Sequence, residues 1–199
     1  AHAMGFKGVL GGEYNFNRTE ASIWKRFWLP ASWGKIDCSV KAGAEWNTVP
    51  FPLLILPEAN LSYITQRETF CLINNMEFLN DRFASMSISY DMNGKLFNRI
   101  PLLKNLKWRE MFRVRALWGT LTDKNNPFKS SNPDLFRFPT RDGKFTSFVM
   151  DPKVPYVEAS VGIYNIFKLL HVEYVHRFTY RDNPGINKNG IRFMVLMVF

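Results

Sequence analysis

Cysteine is almost missing from this chain, with Cys38 and Cys71 the only two in 199 residues. Two cysteines make neither a disulfide framework nor a zinc site, and the most they leave open is one bridge between positions 38 and 71. Histidine is as scarce: His2, His171 and His176 are too few and too spread for a metal cluster, so no metal is expected. Long apolar runs are lacking as well. A membrane-spanning helix needs about 18 or more consecutive apolar residues, and the greasiest window, Val49 to Pro57, is short and rich in proline. A helical membrane protein is therefore not expected. The opening residues Ala1-His2-Ala3-Met4 show no basic segment followed by an apolar core, so no signal peptide is expected there. Metalloprotease, nucleophile-elbow, phosphate-loop and dinucleotide signatures are all missing from the sequence. No catalytic residue and no cofactor are therefore expected, and the chain is not read as an enzyme.

What the chain has instead is aromatic residues, positive charge and alternation. Phe, Trp and Tyr make up 16 % of it, with 18 Phe and 6 Trp, a share expected where aromatic girdles sit at membrane interfaces. The net charge of +9 would in a soluble protein suggest nucleic acid as partner. The basic residues are scattered through strand patterns and loops, so no nucleic-acid partner is expected.

The alternation predicts eight strands. Thr19 to Leu29 is one of uncertain facing, and the glycine-rich Gly5 to Phe16 ahead of it reads as a partial strand or a loop. In Lys35 to Trp46 the row Ile36, Cys38, Val40, Ala42, Ala44, Trp46 opposes Lys35, Asp37, Ser39, Lys41, Gly43, Glu45. Period two with charges on one side is a half-polar strand. Thr69 to Phe78 reads as a less regular strand, followed by a tight turn at Asn80-Asp81. Arg82 to Asn93 then sets Ala84, Met86, Ile88, Tyr90 and Met92 against Ser85, Ser87, Ser89, Asp91 and Asn93. Arg109 to Thr120 sets Phe112, Val114, Ala116 and Trp118 against Arg113 and Arg115. Residues 121 to 155 contain Pro127, Pro133, Pro139, Pro152 and Pro155 and an Asp142-Gly143 turn fit to top a small hairpin. So long a loop is uncommon in a compact soluble domain and normal outside a barrel. Tyr156 to Ile166 and Leu170 to Tyr180 follow, joined at Phe167-Lys168; His176 is the one dissenter on the second strand's apolar row.

The last ten residues, Gly190 to Phe199, carry the unbroken apolar row Ile191, Phe193, Val195, Met197 and Phe199. Ten residues at strand rise span about 33 Å, and a tilted strand needs about 9 to 11 to cross a bilayer. This row is the expected barrel-closing strand. Three links share a Leu-Leu pair behind Pro or Phe: Pro50 to Leu54, Ile100 to Leu103 and Ile166 to Leu170. They follow the second, fourth and sixth expected strands, so an up-and-down sheet places all three on one side, with the 121–155 loop on the other.

Alternation by itself permits two architectures. In a membrane barrel the apolar rows meet lipid and the polar rows line the interior; in a soluble sandwich or ligand-binding barrel the assignment is reversed. Aromatics at the row ends (Trp46, Tyr90, Trp118, Tyr180, Phe199) and strands of about 10 to 12 residues favour the first.

The tract Asn93 to Gly119 (NGKLFNRIPLLKNLKWREMFRVRALWG) and the end Tyr156 to Phe199 closely resemble the C-terminal barrel of a Bacteroidetes-type outer-membrane family of unknown function, whose members carry a carboxypeptidase-regulatory-like domain upstream. More distantly the order of an Ile-Pro-Leu-Leu turn, strand, long loop, Val-Gly-Ile strand, tight turn and final strand ending in Phe resembles bacterial surface antigen barrels of the BamA-like superfamily. The first resemblance runs from about Phe6 to Phe199. The second lacks an Arg-Gly-Phe in the link before Arg82, where that superfamily keeps its lumen-reaching motif, so no insertase mechanism comes with it. The resemblance implies that these strands are the C-terminal half of a larger barrel.

The expectations are then these. Residues 1–199 form one all-β domain, an antiparallel up-and-down transmembrane β-barrel of the cell outer membrane, with a non-enzymatic role in assembly, transport or surface display. The alternative is a soluble eight-stranded barrel or sandwich that binds an apolar ligand. Lys41, Glu45, Asp91, Arg113, Arg115, Glu158, Glu173, Arg177 and Arg192 form a lumen charge network. It either selects an anionic solute or plugs and rigidifies the barrel. His171 and Glu173 could handle a proton, or simply satisfy each other. Expected partners are outer-membrane lipid and lipopolysaccharide, and the barrel assembly machinery through the C-terminal strand; the loop basics Lys124, Lys129, Arg137, Arg141, Lys144, Arg181 and Lys188 either meet lipid phosphate of the anionic outer leaflet or are simply solvated. No small-molecule substrate is specified.

Overall fold

In a computed structural model the alternating segments line up as a single antiparallel sheet. The structure describes residues 1–8, 13–60, 62, 64, 69–129, 135 and 137–195. The strands are His2–Gly5 (β1), Phe16–Trp28 (β2), Lys35–Glu45 (β3), Arg82–Asp91 (β4), Arg109–Thr120 (β5), Thr140–Arg141 (β6), Lys144–Phe145 (β7), Tyr156–Ile166 (β8), Leu170–Arg177 (β9) and Asn189–Val195 (β10). Eight of them form one sheet in the order β1-β2-β3-β4-β5-β8-β9-β10. Every neighbouring pair is antiparallel. The expected class, an all-β up-and-down sheet of eight strands, is what forms. Among the described residues β1 and β10 are not paired with each other. β6 and β7 make the small hairpin expected at Asp142-Gly143, with both turn residues at positive φ.

One of the eight is not the segment the pattern points to. Residues 69–78 add no strand to the sheet; they lie in the long connection 46–81, and among the described residues their strand-like backbone pairing is confined to isolated bridges such as Ala59↔Phe70 and Phe78↔Phe148. β1 makes up the number, and the described residues 6–8 and 13–15 that follow it are in no strand. Asn80-Asp81 is accordingly no hairpin turn: Asn80 pairs with Ile55, and β3 pairs straight to β4. The parity of the links changes with it. Links 29–34, 92–108 and 167–169 lie at one end of the sheet, and the long links 46–81 and 121–155 lie at the other. The Ile100–Leu103 and Ile166–Leu170 motifs do share an end, but Pro50–Leu54 sits at the opposite one. There Val49, Leu54, Leu79, Leu121 and Phe138 pack into one cluster that joins the two long links.

The burial of the two faces is the reverse of a soluble sheet. Val40, Phe112, Val114, Val161, Tyr174 and Ile191 of the apolar rows are exposed, Val161 at 46 %, whereas Arg115, Glu158, Glu173 and Arg177 of the charged rows are fully buried. The cover on the charged face comes from the 46–81 link. Phe70, Ile73 and Phe78 pack there against Leu117, Met150 and Tyr156. Phe70 and Phe78 meet the Tyr156 ring edge-on at 5.6 and 5.9 Å. The apolar residues that make 69–78 look like a strand are buried in this inner core, which is why the segment leaves the sheet. Cys38 stands on the exposed row of β3 and Cys71 on the covered side, and both are free thiols.

Candidate functional site: a buried charge network

The register of the sheet decides which charges meet. Arg115 on β5 is directly opposite Glu158 on β8, and Nη1 donates to Oε1 at 3.0 Å. Arg113 faces Ser160 instead, so its guanidinium crosses to the next strand and reaches Glu173 at 3.0 Å. Ser160 donates to the same carboxylate, and His171 Nε2 lies 3.4 Å from it. Arg177 is opposite Glu158 in register, yet it pairs with Glu77 of the 46–81 link at 2.6 Å. Arg113 and Arg115 thus find their carboxylates within the sheet, while Arg177 turns to Glu77, in the segment 69–78 that the alternation places in the sheet.

These charges clamp the inserted segment. The Glu158 carboxylate accepts the backbone N–H groups of Cys71 (2.9 Å) and Leu72 (3.1 Å) and the Tyr156 hydroxyl (2.9 Å). Arg177 donates to the carbonyls of Leu72, Thr179 and Tyr180, and its guanidinium stacks over Tyr156 at 4.8 Å. Asn183 adds a 3.0 Å bond to Glu77. Arg192 donates to the Cys71 carbonyl. A segment with no strand partner must send its backbone groups elsewhere, and here they go to ionised side chains, which make the stronger bonds. Nε and Nη2 of Arg115 meet no acceptor among the described residues, so its charge depends on Glu158.

The remaining expected members lie apart from this cluster. Lys41 sits between Glu20 (3.4 Å) and Glu58. Glu45 accepts from the Asn17 and Asn47 backbones and faces Arg18 at 4.0 Å. Asp91 lies 3.7 Å from Lys35 and accepts from the Tyr164 hydroxyl. The sequence reading missed Glu77, Tyr156, Ser160 and a second knot in which buried Asp81 accepts from Thr122 and from Asn125 (3.0 Å). An Asp after a turn-like Asn was the only hint of that knot. His176 is half-buried beside Phe178 and Asn189. Of the closing strand, Ile191, Phe193 and Val195 are exposed, while Met197 and Phe199 lie outside the described residues. Lys124 donates to the Trp46 carbonyl at 2.7 Å and so ties the two long links together.

A cavity of about 360 Å³ occupies the other half of the charged face, among Arg26, Lys35, Asp37, Asp91, Arg113 and Tyr164. Arg26 binds Asp37 through two bonds of 2.6 and 3.0 Å and lies between the Trp24 and Trp28 rings at 5.2 and 5.6 Å. Cys71, outside the strands, is buried, and that burial pushes its thiol up to about 11 against the opposing pull of Arg115. Among the described residues no cluster of three His, Cys, Asp or Glu could hold a metal, and no helix is long and apolar enough to cross a membrane.

Fold and site together define the class: an all-β antiparallel sheet in which Arg113, Arg115, Glu158, Glu173 and Arg177 of the charged rows are enclosed and Val40, Phe112, Val114, Val161 and Ile191 of the apolar rows are exposed. Residues 2–129 match the family described as "Family of unknown function (DUF5686) C-terminal domain", and the chain belongs to that family. The tract Asn93–Gly119 lies inside the match, and Tyr156–Phe199 lies beyond it. No curated protein and no solved structure shows a significant match to the chain.

Proposed function

We propose that this chain is the C-terminal part of an integral outer-membrane β-barrel with a non-enzymatic role in the envelope, in assembly, transport or surface display. The observation that carries the reading is the inverted sheet: in water, the exposed row through Phe112, Val114, Val161 and Ile191 forfeits about 25 cal/mol for every Å² left unburied, and lipid removes that cost. The resemblance to Bacteroidetes-type barrels, and more distantly to BamA-like ones, supports the same reading. Further strands between β1 and β10 complete the wall, and the assembly machinery engages the C-terminal strand. Lipopolysaccharide meets the loop basics at the long-link end. The paired arginines favour a plug that holds 69–78 in the lumen over a ring that selects anions. The soluble alternative would place its ligand in the inner cavity, where Trp24, Met111 and Met194 stand beside Arg26, Lys35, Asp37 and Asp91.

Val161 stands at the middle of β8, which makes it the test position. With the chain folded in lipid vesicles and titrated with urea, Val161→Arg is expected to cost about 2–4 kcal/mol, the depth-dependent cost of a cation on a barrel's lipid face. If Val161 faces water, the same change stays within about 0.5 kcal/mol, and that result defeats the membrane reading.

A further inference from the structure

The end of the sheet at which β10 stops carries a surface of its own. Its three links are tied to one another: Lys95 Nζ donates to the Ala31 carbonyl (3.1 Å) and lies 5.0 Å from the Trp33 ring, and Asn165 Nδ2 donates to the Lys107 carbonyl (2.7 Å). A six-residue helix, Pro101–Leu106 (α1), is too short to stand alone. It is held by Lys107 in a left-handed cap and, just upstream, by Glu110 accepting from the Leu96 N–H.

This platform exposes apolar and basic side chains together. Leu102 is 80 % exposed and Phe167 86 %, with Ile100, Leu106 and Leu169 also exposed. Arg99, Lys104, Lys107 and Lys168 stand exposed among them, and links 29–34, 92–108 and 167–169 contain no Asp or Glu. The opposite end mixes signs, with Asp123, Asp142, Asp151 and Asp182 beside its lysines. The β8–β9 turn is itself unusual. Phe167 and Lys168 both have positive φ (51° and 62°) at the centre of a turn closed by the Leu169 N–H on the Ile166 carbonyl, positions that favour Asn-Gly and penalise a bulky aromatic. Packing does not account for the ring, which touches almost nothing.

We propose that this end is an interfacial foot for anionic phospholipid: Leu102, Leu106 and Phe167 enter the headgroup and acyl boundary while Arg99, Lys104, Lys107 and Lys168 pair with lipid phosphates. Uniform positive charge beside exposed apolar groups is the complement of an anionic leaflet, and the surface continues the exposed apolar wall of the strands. The inference rests on the membrane reading of that wall, and the experiment separates the two.

The chain is reconstituted in phosphatidylcholine vesicles with and without phosphatidylglycerol, washed in alkali, floated, and probed with spin-labelled lipids. Retention in pure phosphatidylcholine after the wash supports the wall. A salt-sensitive preference of about tenfold for labelled phosphatidylglycerol, lost in R99Q/K104Q/K107Q/K168Q and kept in K124Q/K129Q/K144Q, supports the foot. Phe167→Gly suits the turn's backbone, so weaker lipid immobilisation in that variant reports the lost ring and not misfolding. A washed-in protein with no preference overturns the foot alone. Release by alkali overturns the wall and with it the foot that rests on it, even where phosphatidylglycerol vesicles bind the chain, and no binding to either overturns both.

Discussion

Replacing Arg177 with Leu lowers folding stability by about 3–5 kcal/mol, the usual cost of stranding one partner of a buried ion pair. Arg177 is 0 % exposed and Glu77 1 %, so the abandoned carboxylate has no route to solvent. The carbonyls of Leu72, Thr179 and Tyr180 also lose their donor, at about 1 kcal/mol each where no water replaces it. The double variant R177L/E77L removes the charge problem and leaves the carbonyl losses and the loss of the bonds that Glu77 accepts from Asn74 and Asn183, so it recovers a large part of the deficit. Urea titration of the four members of this cycle in the same lipid or detergent checks the account. If the two single changes and the double change simply add, the pair is not coupled and the clamp argument fails.

Glu158→Ala is expected to cost about as much, roughly 3–5 kcal/mol, because Arg115 is then left buried without a counter-charge. Its second effect is local and more telling. The carboxylate holds the N–H groups of Cys71 and Leu72, so its loss frees the inserted segment at that anchor. In the wild type the Cys71 thiol is 1 % exposed and raised to about 11, so at pH 8 only about a thousandth of it is the reactive thiolate. Raising the pH toward 11 increases that fraction. In a Cys38→Ser background, maleimide modification of Cys71 at pH 8 is therefore slow, and Glu158→Ala accelerates it strongly while global unfolding remains unpopulated. Equal labelling rates in the two proteins would show that Glu158 does not hold the segment.

Most of the strands are legible because alternation is a local signal. Lys35–Glu45, Arg82–Asp91, Arg109–Thr120 and Tyr156–Ile166 end within two residues of where the pattern places them. The two rows of each are right as well, since a strand must send neighbours to opposite faces. The misreading of 69–78 has an equally plain cause. Thr69 to Phe78 has a strand's length and greasiness, and nothing in its own residues says that Phe70 and Phe78 will close on Tyr156 while Cys71 and Leu72 give their N–H groups to a carboxylate. That choice depends on Glu158, far along the chain.

The sequence by itself determined the all-β class, most of the sheet's strands, which side chains share a row in them, and the overall charge, because each follows from covalent order and period. Only the tertiary structure decided that the charged rows are the enclosed ones, that Arg177 takes Glu77 in place of a neighbour in the sheet, and that Arg113 reaches past Ser160 to Glu173. Those outcomes rest on what packs against a face and on how far two strands are offset. Neither is written in any one segment.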